Sequence, residues 1–222
     1  MTKKVFLSAL IGILVIFATA CGNKQTEKQT ATVDSKDQYK SFYSKSVFLG
    51  DSLLLGLSDV LEDSNVISNA GATALFALEE VDKIASKKPE HVFIMLGSDD
   101  LLWPVDNPVE ESIKNYTKLI EKIKGKLPNV KINVLSVTPV TKEAMEVEPR
   151  YKNIPDYNKA LEKMAATKKI DYINLSPIFE KNENLYSEDG VHFKDNFYPL
   201  FLNHIKEQIH SSKNNEGVPD GE

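Results

Sequence analysis

Two stretches far apart in the chain carry side chains that could act together in one reaction. VFLGDSLLLGL, at 47–57, places Ser52 between an apolar run and an apolar helical pattern. SEDGVHF, at 187–193, holds Asp189 three residues before His192. A serine hydroxyl becomes a nucleophile when an imidazole takes its proton and a carboxylate holds that imidazole in the required tautomer. Taken alone, each stretch has a plainer interpretation, as a helix cap and as a surface turn.

Short apolar runs alternate with helical patterns through the middle of the chain. Strands are predicted at 46–50, 65–71, 91–97, 131–137 and 171–176, and helices at about 52–62, 73–86, 109–126, 156–168 and 197–210. The strands are mostly apolar on both faces, as buried parallel strands are. This alternation predicts an α/β fold, a three-layer α/β/α sandwich around a five-stranded parallel sheet. Sites in such sheets form beyond the carboxyl ends of the strands, so Ser52, Asp189 and His192 are expected at one edge.

The bulk composition suits one globular domain, which we place at 45–211. The chain has 222 residues, of which 41% are hydrophobic, and a formal net charge of -5. A chain of this size can bury a substantial core. It lacks the basic patch of nucleic-acid-binding proteins, so no nucleic-acid partner is expected. Its His and Cys residues do not have metal-ligand spacing, and neither a metal nor another cofactor is expected.

The first twenty residues have the pattern of a secretory leader. Two lysines precede the apolar run VFLSALIGILVIFA, and the small residues ATA lead to Cys21, the only cysteine. The apolar run is shorter than the ~20 residues of a membrane span, which favours cleavage over a transmembrane anchor. The segment A-T-A-C-G-N resembles a bacterial lipobox. That resemblance implies that Cys21 is lipidated and anchors the protein on the extracellular face of the cell membrane.

Polar segments flank the predicted domain on both sides. Residues 21–44 begin with the lipidated cysteine and are rich in Gln, Thr, Lys, Asp and Ser, which predicts a flexible tether. Residues 212–222 are likewise too polar to pack and are predicted to form a disordered tail. The expected organisation is therefore a leader at 1–20, a tether, one domain and a short tail.

Four blocks of the sequence resemble the SGNH hydrolase family, also called GDSL-type hydrolases. VFLGDSLLLGL, SNAGAT, LGSDD and DGVHF occur in the family's order. The resemblance implies a flavodoxin-like fold and ester hydrolysis or acyl transfer, with Ser52 as nucleophile, His192 as base and Asp189 as its orienting acid. It also implies an oxyanion hole formed by the backbone N–H groups of Ser52 and Gly71 and by an asparagine side chain of the third block.

The third block departs from the family pattern because Asp99 stands where the family carries Asn. An amide donates a hydrogen bond to an oxyanion, whereas an ionised carboxylate only accepts. Losing one donor typically costs ~10²–10³ in rate. A carboxylate about 4 Å from the oxyanion would also repel it by about 4 kcal/mol at an effective dielectric near 20. Burial and repulsion from Asp100 would favour a protonated Asp99. A carboxylate turned aside and a protein that only binds its ligand are the other possibilities. We expect an esterase of reduced or pH-shifted activity.

The predicted location suggests acyl esters, acetyl esters above all, of cell-envelope carbohydrates as substrates. Trp103 and Tyr151 are candidates for stacking on a sugar ring, although both could equally be packing residues. A lysophospholipase or short-chain lipase is one alternative. A non-catalytic binding lipoprotein on the same scaffold is the other.

Overall fold

The computed structural model describes residues 36–215 and contains a five-stranded, all-parallel sheet. The strands are β1 (Ser46–Gly50), β2 (Val66–Ser68), β3 (His91–Met95), β4 (Lys131–Leu135) and β5 (Asp171–Ile173). Their order across the sheet is β2–β1–β3–β4–β5. Because β1 pairs with both β2 and β3, the loops that follow these three strands leave the sheet side by side. The predicted fold class is confirmed.

Helices cover both faces of this sheet. They are α1 (Lys36–Phe42), α2 (Val81–Ser86), α3 (Pro108–Lys126), α4 (Lys142–Val147), α5 (Ile154–Lys168), α6 (Ser176–Lys181) and α7 (Phe197–Asn215). Short 3-10 helices cover Ser52–Asp59, Asp63–Asn65, Phe76–Glu80, Asp100–Leu102 and Pro149–Asn153. Side chains of α2, α3 and α5 form the core on one face, and those of α1, α6 and α7 form the core on the other.

Neighbouring side chains of the central strands point into these two separate cores. In β1, Val47 and Leu49 belong to the core under α3, whereas Phe48 belongs to the core under α7. In β3, Ile94 and Phe93 divide in the same way. Successive side chains of a strand point to opposite faces, so strands that are apolar at every position require a layer of helices on each side.

Several elements differ in extent from the prediction. The segment predicted as a helix at 52–62 is a 3-10 helix that ends at Asp59, and the segment at 73–86 divides into a 3-10 turn and α2. Gly56 packs so closely against the ring of Tyr198 that any Cβ would overlap it. The last helix continues to Asn215, so the first residues of the predicted tail at 212–222 are helical.

The folded domain begins earlier than the predicted boundary at residue 45. Tyr39 of α1 and Tyr43, which follows it, are each 1% exposed. The Tyr39 hydroxyl donates to the carbonyl of Pro199 at 3.3 Å, and the Tyr43 hydroxyl donates to that of Leu202 at 2.6 Å. The burial of two aromatic rings with satisfied hydroxyls offsets the entropy lost in ordering this short helix. The last residues of the predicted tether are therefore part of the domain.

The predicted leader, the lipidation site at Cys21 and most of the tether lie outside the described residues, as do residues 216–222. Those predictions stay predictions. Between residues 36 and 215, no helix is both long enough and apolar enough to cross a membrane.

The packing of α1 can be tested by removing one of its buried rings. Tyr39→Ala is expected to lower the free energy of unfolding by about 3 kcal/mol, because it leaves a cavity against α7. Gln38→Ala, on the exposed side of the same helix, should change it by less than about 0.5 kcal/mol. Urea denaturation measures both variants. Equal effects of the two would mean that α1 does not belong to the cooperatively folded domain.

Candidate active site

The loop after β1 is shaped by Asp51, which is 1% exposed. One carboxylate oxygen accepts the N–H of Leu53 at 3.0 Å, and the other accepts the hydroxyl of Ser98 at 2.5 Å. Asp51 therefore caps the following 3-10 helix and also ties this loop to the loop after β3. Ser52 is not needed as a cap, and its hydroxyl is left for another partner.

The structure brings Ser52, His192 and Asp189 together in one hydrogen-bonded chain. Ser52 Oγ lies 2.9 Å from His192 Nε2, and His192 Nδ1 lies 2.6 Å from Asp189 Oδ2. A carboxylate can only accept, so Nδ1 carries the ring proton in the neutral imidazole, and Nε2 is free to accept the serine proton. This is the arrangement that activates a serine hydroxyl as a nucleophile. The catalytic roles of the three residues stay predictions.

A tight turn holds the imidazole in place. The second oxygen of Asp189 accepts the backbone N–H groups of Val191 and His192, both at 2.9 Å. Gly190 has a φ of +70° and packs against Thr141, and a Cβ at this position would overlap that side chain. Only glycine adopts such a turn without strain. The carboxylate thus orients the backbone of the turn and the ring of His192 at the same time.

This part of the site is open to solvent. The side chains of His192 and Asp189 are 47% and 50% exposed. Burial tends to raise the pKa of Asp189, but hydrogen bonds from the Val191 N–H and from the ring and N–H of His192 outweigh it and lower that pKa. Asp189 is therefore ionised at neutral pH, as an orienting acid must be.

Two carboxyl groups, Asp51 and Asp100, are buried in the loops that follow β1 and β3. Asp100, which is 4% exposed, accepts the N–H of Ala74 at 3.1 Å and the hydroxyl of Ser112 at 2.6 Å. Ser112 also shares a 2.6 Å hydrogen bond with Tyr157. Burial raises the pKa of Asp100 to about 6 and that of Asp51 to about 7, and these hydrogen bonds offset only part of the effect. Sequence reasoning missed this network because its partners come from three different elements.

Asp99 differs from its two acidic neighbours. It is half-buried, and its Oδ2 is buried without a hydrogen-bond partner among the described residues. Burial raises the pKa of Asp99, and the nearby His192 opposes that rise. The predicted repulsion by Asp100 is not among the causes that raise the pKa of Asp99. Asp99 instead adds to the raised pKa values of Asp100 and Asp51, which are due mainly to burial. Of the three carboxyl groups at these strand ends, only Asp99 lacks a donor from the described part of the protein.

The segment 48–199, more than half of the chain, matches the model of the GDSL-like Lipase/Acylhydrolase family. The chain belongs to this family. The resemblance of the four sequence blocks is thereby confirmed. Among curated proteins, no sequence matches this family member.

Solved structures of other bacterial enzymes share the fold of this family member. A GDSL-like lipase from Bacteroides thetaiotaomicron is 20% identical, with a TM-score of 0.61, and the match covers 79% of this chain and 90% of that one. A lipase/acylhydrolase from Enterococcus faecalis is 18% identical, with a TM-score of 0.59 and coverages of 75% and 95%. An acetylxylan esterase from Geobacillus stearothermophilus, solved as a catalytic mutant, is 16% identical, with a TM-score of 0.55 and coverages of 73% and 92%. At these identities the likeness shows the fold alone.

The remaining predicted site residues have different surroundings. Gly71, in the turn after β2, is exposed and lines an open cavity of about 340 Å³ together with Phe76. Trp103 is 39% exposed and meets the ring of Phe76 edge-on at 5.4 Å between centroids. Tyr151 is only 8% exposed and belongs to the core under α3, which argues against its stacking on a sugar. Phe76 is 46% exposed and was not predicted as a site residue. The sequence feature that could have indicated it is an apolar side chain in the loop after β2.

The buried Asp51 gives a prediction for stability as a function of pH. Its pKa is near 3.8 in the unfolded chain and about 7 in the folded protein, so the folded state binds a proton more tightly. Stability is therefore lost as pH rises from about 4 to about 7, by up to about 1.4 kcal/mol per pH unit. We expect Asp51→Asn to show a smaller decline between pH 5 and pH 7.5 in urea denaturation, with Asp100 contributing the remainder.

Asp37→Asn is the matched control, because Asp37 is exposed on α1. This variant should keep the wild-type dependence on pH. An unchanged decline in Asp51→Asn would show that Asp51 is ionised in the folded protein throughout this range.

Proposed function

We propose that this family member is a serine esterase in which Ser52 is the nucleophile. The observation that carries the proposal is the continuous chain of hydrogen bonds from Ser52 through His192 to Asp189, at 2.9 and 2.6 Å. These three residues lie in loops that are 140 positions apart in sequence. A surface turn with incidental charge would not direct its imidazole at a serine hydroxyl.

The proposed reaction follows from the direction of these hydrogen bonds. Ser52 Oγ attacks the ester carbonyl while His192 Nε2 takes its proton, and Asp189 stabilises the imidazolium. The tetrahedral intermediate then expels the alcohol, which receives the proton from His192. Water then attacks the acyl-enzyme while His192 takes its proton. The acid is released as Ser52 Oγ regains a proton from His192. The backbone N–H groups of Ser52 and Gly71 are the proposed donors to the oxyanion.

The proposed substrates are acyl esters, acetyl esters foremost, of cell-envelope carbohydrates. The leader and the lipobox-like segment around Cys21 support a protein tethered to the extracellular face of the cell membrane. The fold shared with an acetylxylan esterase supports a carbohydrate ester as substrate. The exposed edge-to-face pair of Phe76 and Trp103 offers an aromatic surface close to Gly71.

A second candidate function is ligand binding without hydrolysis. The observation that favours it is Asp99, a carboxylate at the family's asparagine position with a buried oxygen that no described residue binds. An ionised group there repels an oxyanion instead of stabilising it. In that case Ser52 would be chemically inert.

Ser52→Ala separates these two functions. We expect hydrolysis of 4-nitrophenyl acetate by the wild-type protein and its loss, by ~10³-fold or more, in the variant. Ser58→Ala, in the same 3-10 helix and also half-buried, should retain activity. A fluorophosphonate probe should label the wild type and not Ser52→Ala. Absence of both turnover and labelling in the wild type would exclude the serine esterase and leave the binding protein.

Asp99→Asn tests the oxyanion hole. On 4-nitrophenyl acetate at pH 7, the variant should be at least tenfold faster than the wild type, because the amide restores a donor that is typically worth ~10²–10³ in rate. Asp106→Asn, an exposed change in the same loop, serves as the control for altered charge. A slower Asp99→Asn enzyme would mean that the carboxyl group itself takes part in the reaction.

A further inference from the structure

The unpartnered carboxylate of Asp99 indicates what the natural substrate carries. Asp51 and Asp100 accept hydrogen bonds from Ser98, Leu53 and Ala74, and so both neighbours are satisfied by the protein. Asp99 has no such donor among residues 36–215. A half-buried carboxylate without a partner favours a ligand that brings a donor or a positive charge.

No described basic side chain fills this role. The only arginine among the described residues, Arg150, forms its ion pair with Glu148 and donates to the carbonyl of Leu102. Eight lysines form ion pairs with acids other than Asp99, namely Lys40, Lys45, Lys83, Lys114, Lys126, Lys142, Lys159 and Lys168. His192 is the cationic group that acts on Asp99, and only when it is protonated. Apart from protonated His192, no basic side chain among residues 36–215 is paired with Asp99, which leaves this carboxylate available to a positive charge on the ligand.

We propose that Asp99 is a specificity-determining residue that binds an ammonium group on the α-carbon of the acyl group, so that the preferred substrate is an aminoacyl ester. This inference rests on the proposed function of Ser52. Asp99 lies near enough to His192 for the two charges to interact, and an α-ammonium group is one carbon removed from the carbonyl that Ser52 attacks in the proposed reaction. The ion pair also neutralises the charge that would otherwise repel the oxyanion.

The chemistry of the reaction is unchanged by this contact. Ser52 Oγ forms its bond to the carbonyl carbon, the bond to the alcohol oxygen breaks, and His192 carries the proton from one oxygen to the other. The ammonium group keeps its proton throughout. It acts by attraction, first to Asp99 and then also to the oxygen on which negative charge develops.

The test compares two esters that differ only in the ammonium group. The kcat/KM of the full-length protein is measured for alanine methyl ester, in both enantiomers, and for methyl propionate. The assay is run near pH 6.5, below the α-amino pKa of about 7.7–8.0, so that the amine is charged. The proteins are the wild type, Asp99→Asn, Ser52→Ala and the control Asp106→Asn.

The decisive quantity is the ratio of the two kcat/KM values, because it cancels changes that affect both esters alike. For one enantiomer we expect this ratio to fall roughly ten- to hundredfold from the wild type to Asp99→Asn, as the loss of a charged hydrogen bond implies. Asp106→Asn should keep the wild-type ratio.

Several outcomes would overturn the inference. Equal ratios in the wild type and Asp99→Asn, with turnover that requires Ser52, would refute aminoacyl recognition and leave the serine esterase intact. The same holds if the wild type hydrolyses neither ester while its Ser52 reacts with the fluorophosphonate probe. Turnover that persists in Ser52→Ala would overturn the proposed function together with this inference.

Discussion

The candidate site depends on the buried hydrogen bond from the Ser98 hydroxyl to the carboxylate of Asp51, at 2.5 Å. It joins the loops after β1 and β3, and the second oxygen of Asp51 holds the N–H of Leu53. At 1% exposure, Asp51 cannot exchange these donors for water. A buried acceptor left without a partner costs about 1–3 kcal/mol, and more when charged. The backbone on both sides of Ser52 is therefore fixed by the need to satisfy a carboxyl group that takes no part in the proposed reaction.

The buried and the exposed carboxyl groups of this fold have different surroundings. Asp51 and Asp100 are buried, have raised pKa values and bind donors from several elements. The pair of Asp189 and His192 is about half exposed, and exposed ion pairs contribute at most about 1 kcal/mol to stability. In the proposed reaction the exposed Asp189 orients the proton acceptor His192, whereas the buried groups shape the loops. Removal of Asp189 should thus affect the imidazole far more than it affects the fold.

The sequence predicted the sheet and the meeting of Ser52 with His192, because both follow from rules that need no tertiary detail. Parallel strands bring their carboxyl ends to one edge, and an acid three residues before a histidine reaches it locally. The packing of Tyr39 could not be predicted, since it depends on a carbonyl of α7 that is 160 positions away. The exposed contact of Phe76 with Trp103 was equally out of reach, because it joins loops that follow different strands.

Asp99 occupies the position at which the family carries an asparagine, and a negative charge there would repel the oxyanion that the asparagine side chain would stabilise. A group that lacks a partner in the free protein and gains one from the ligand strengthens binding. It accelerates the reaction only if this interaction is stronger in the transition state than in the ground state. An ammonium group beside the carbonyl meets this condition. In the ground state it faces one carboxylate and a neutral carbonyl. In the transition state it faces that carboxylate and a developing oxyanion, so its attraction increases as the charge forms. With a neutral acyl group, an ionised Asp99 would face the developing oxyanion, and among residues 36–215 only the charge of protonated His192 would oppose this repulsion.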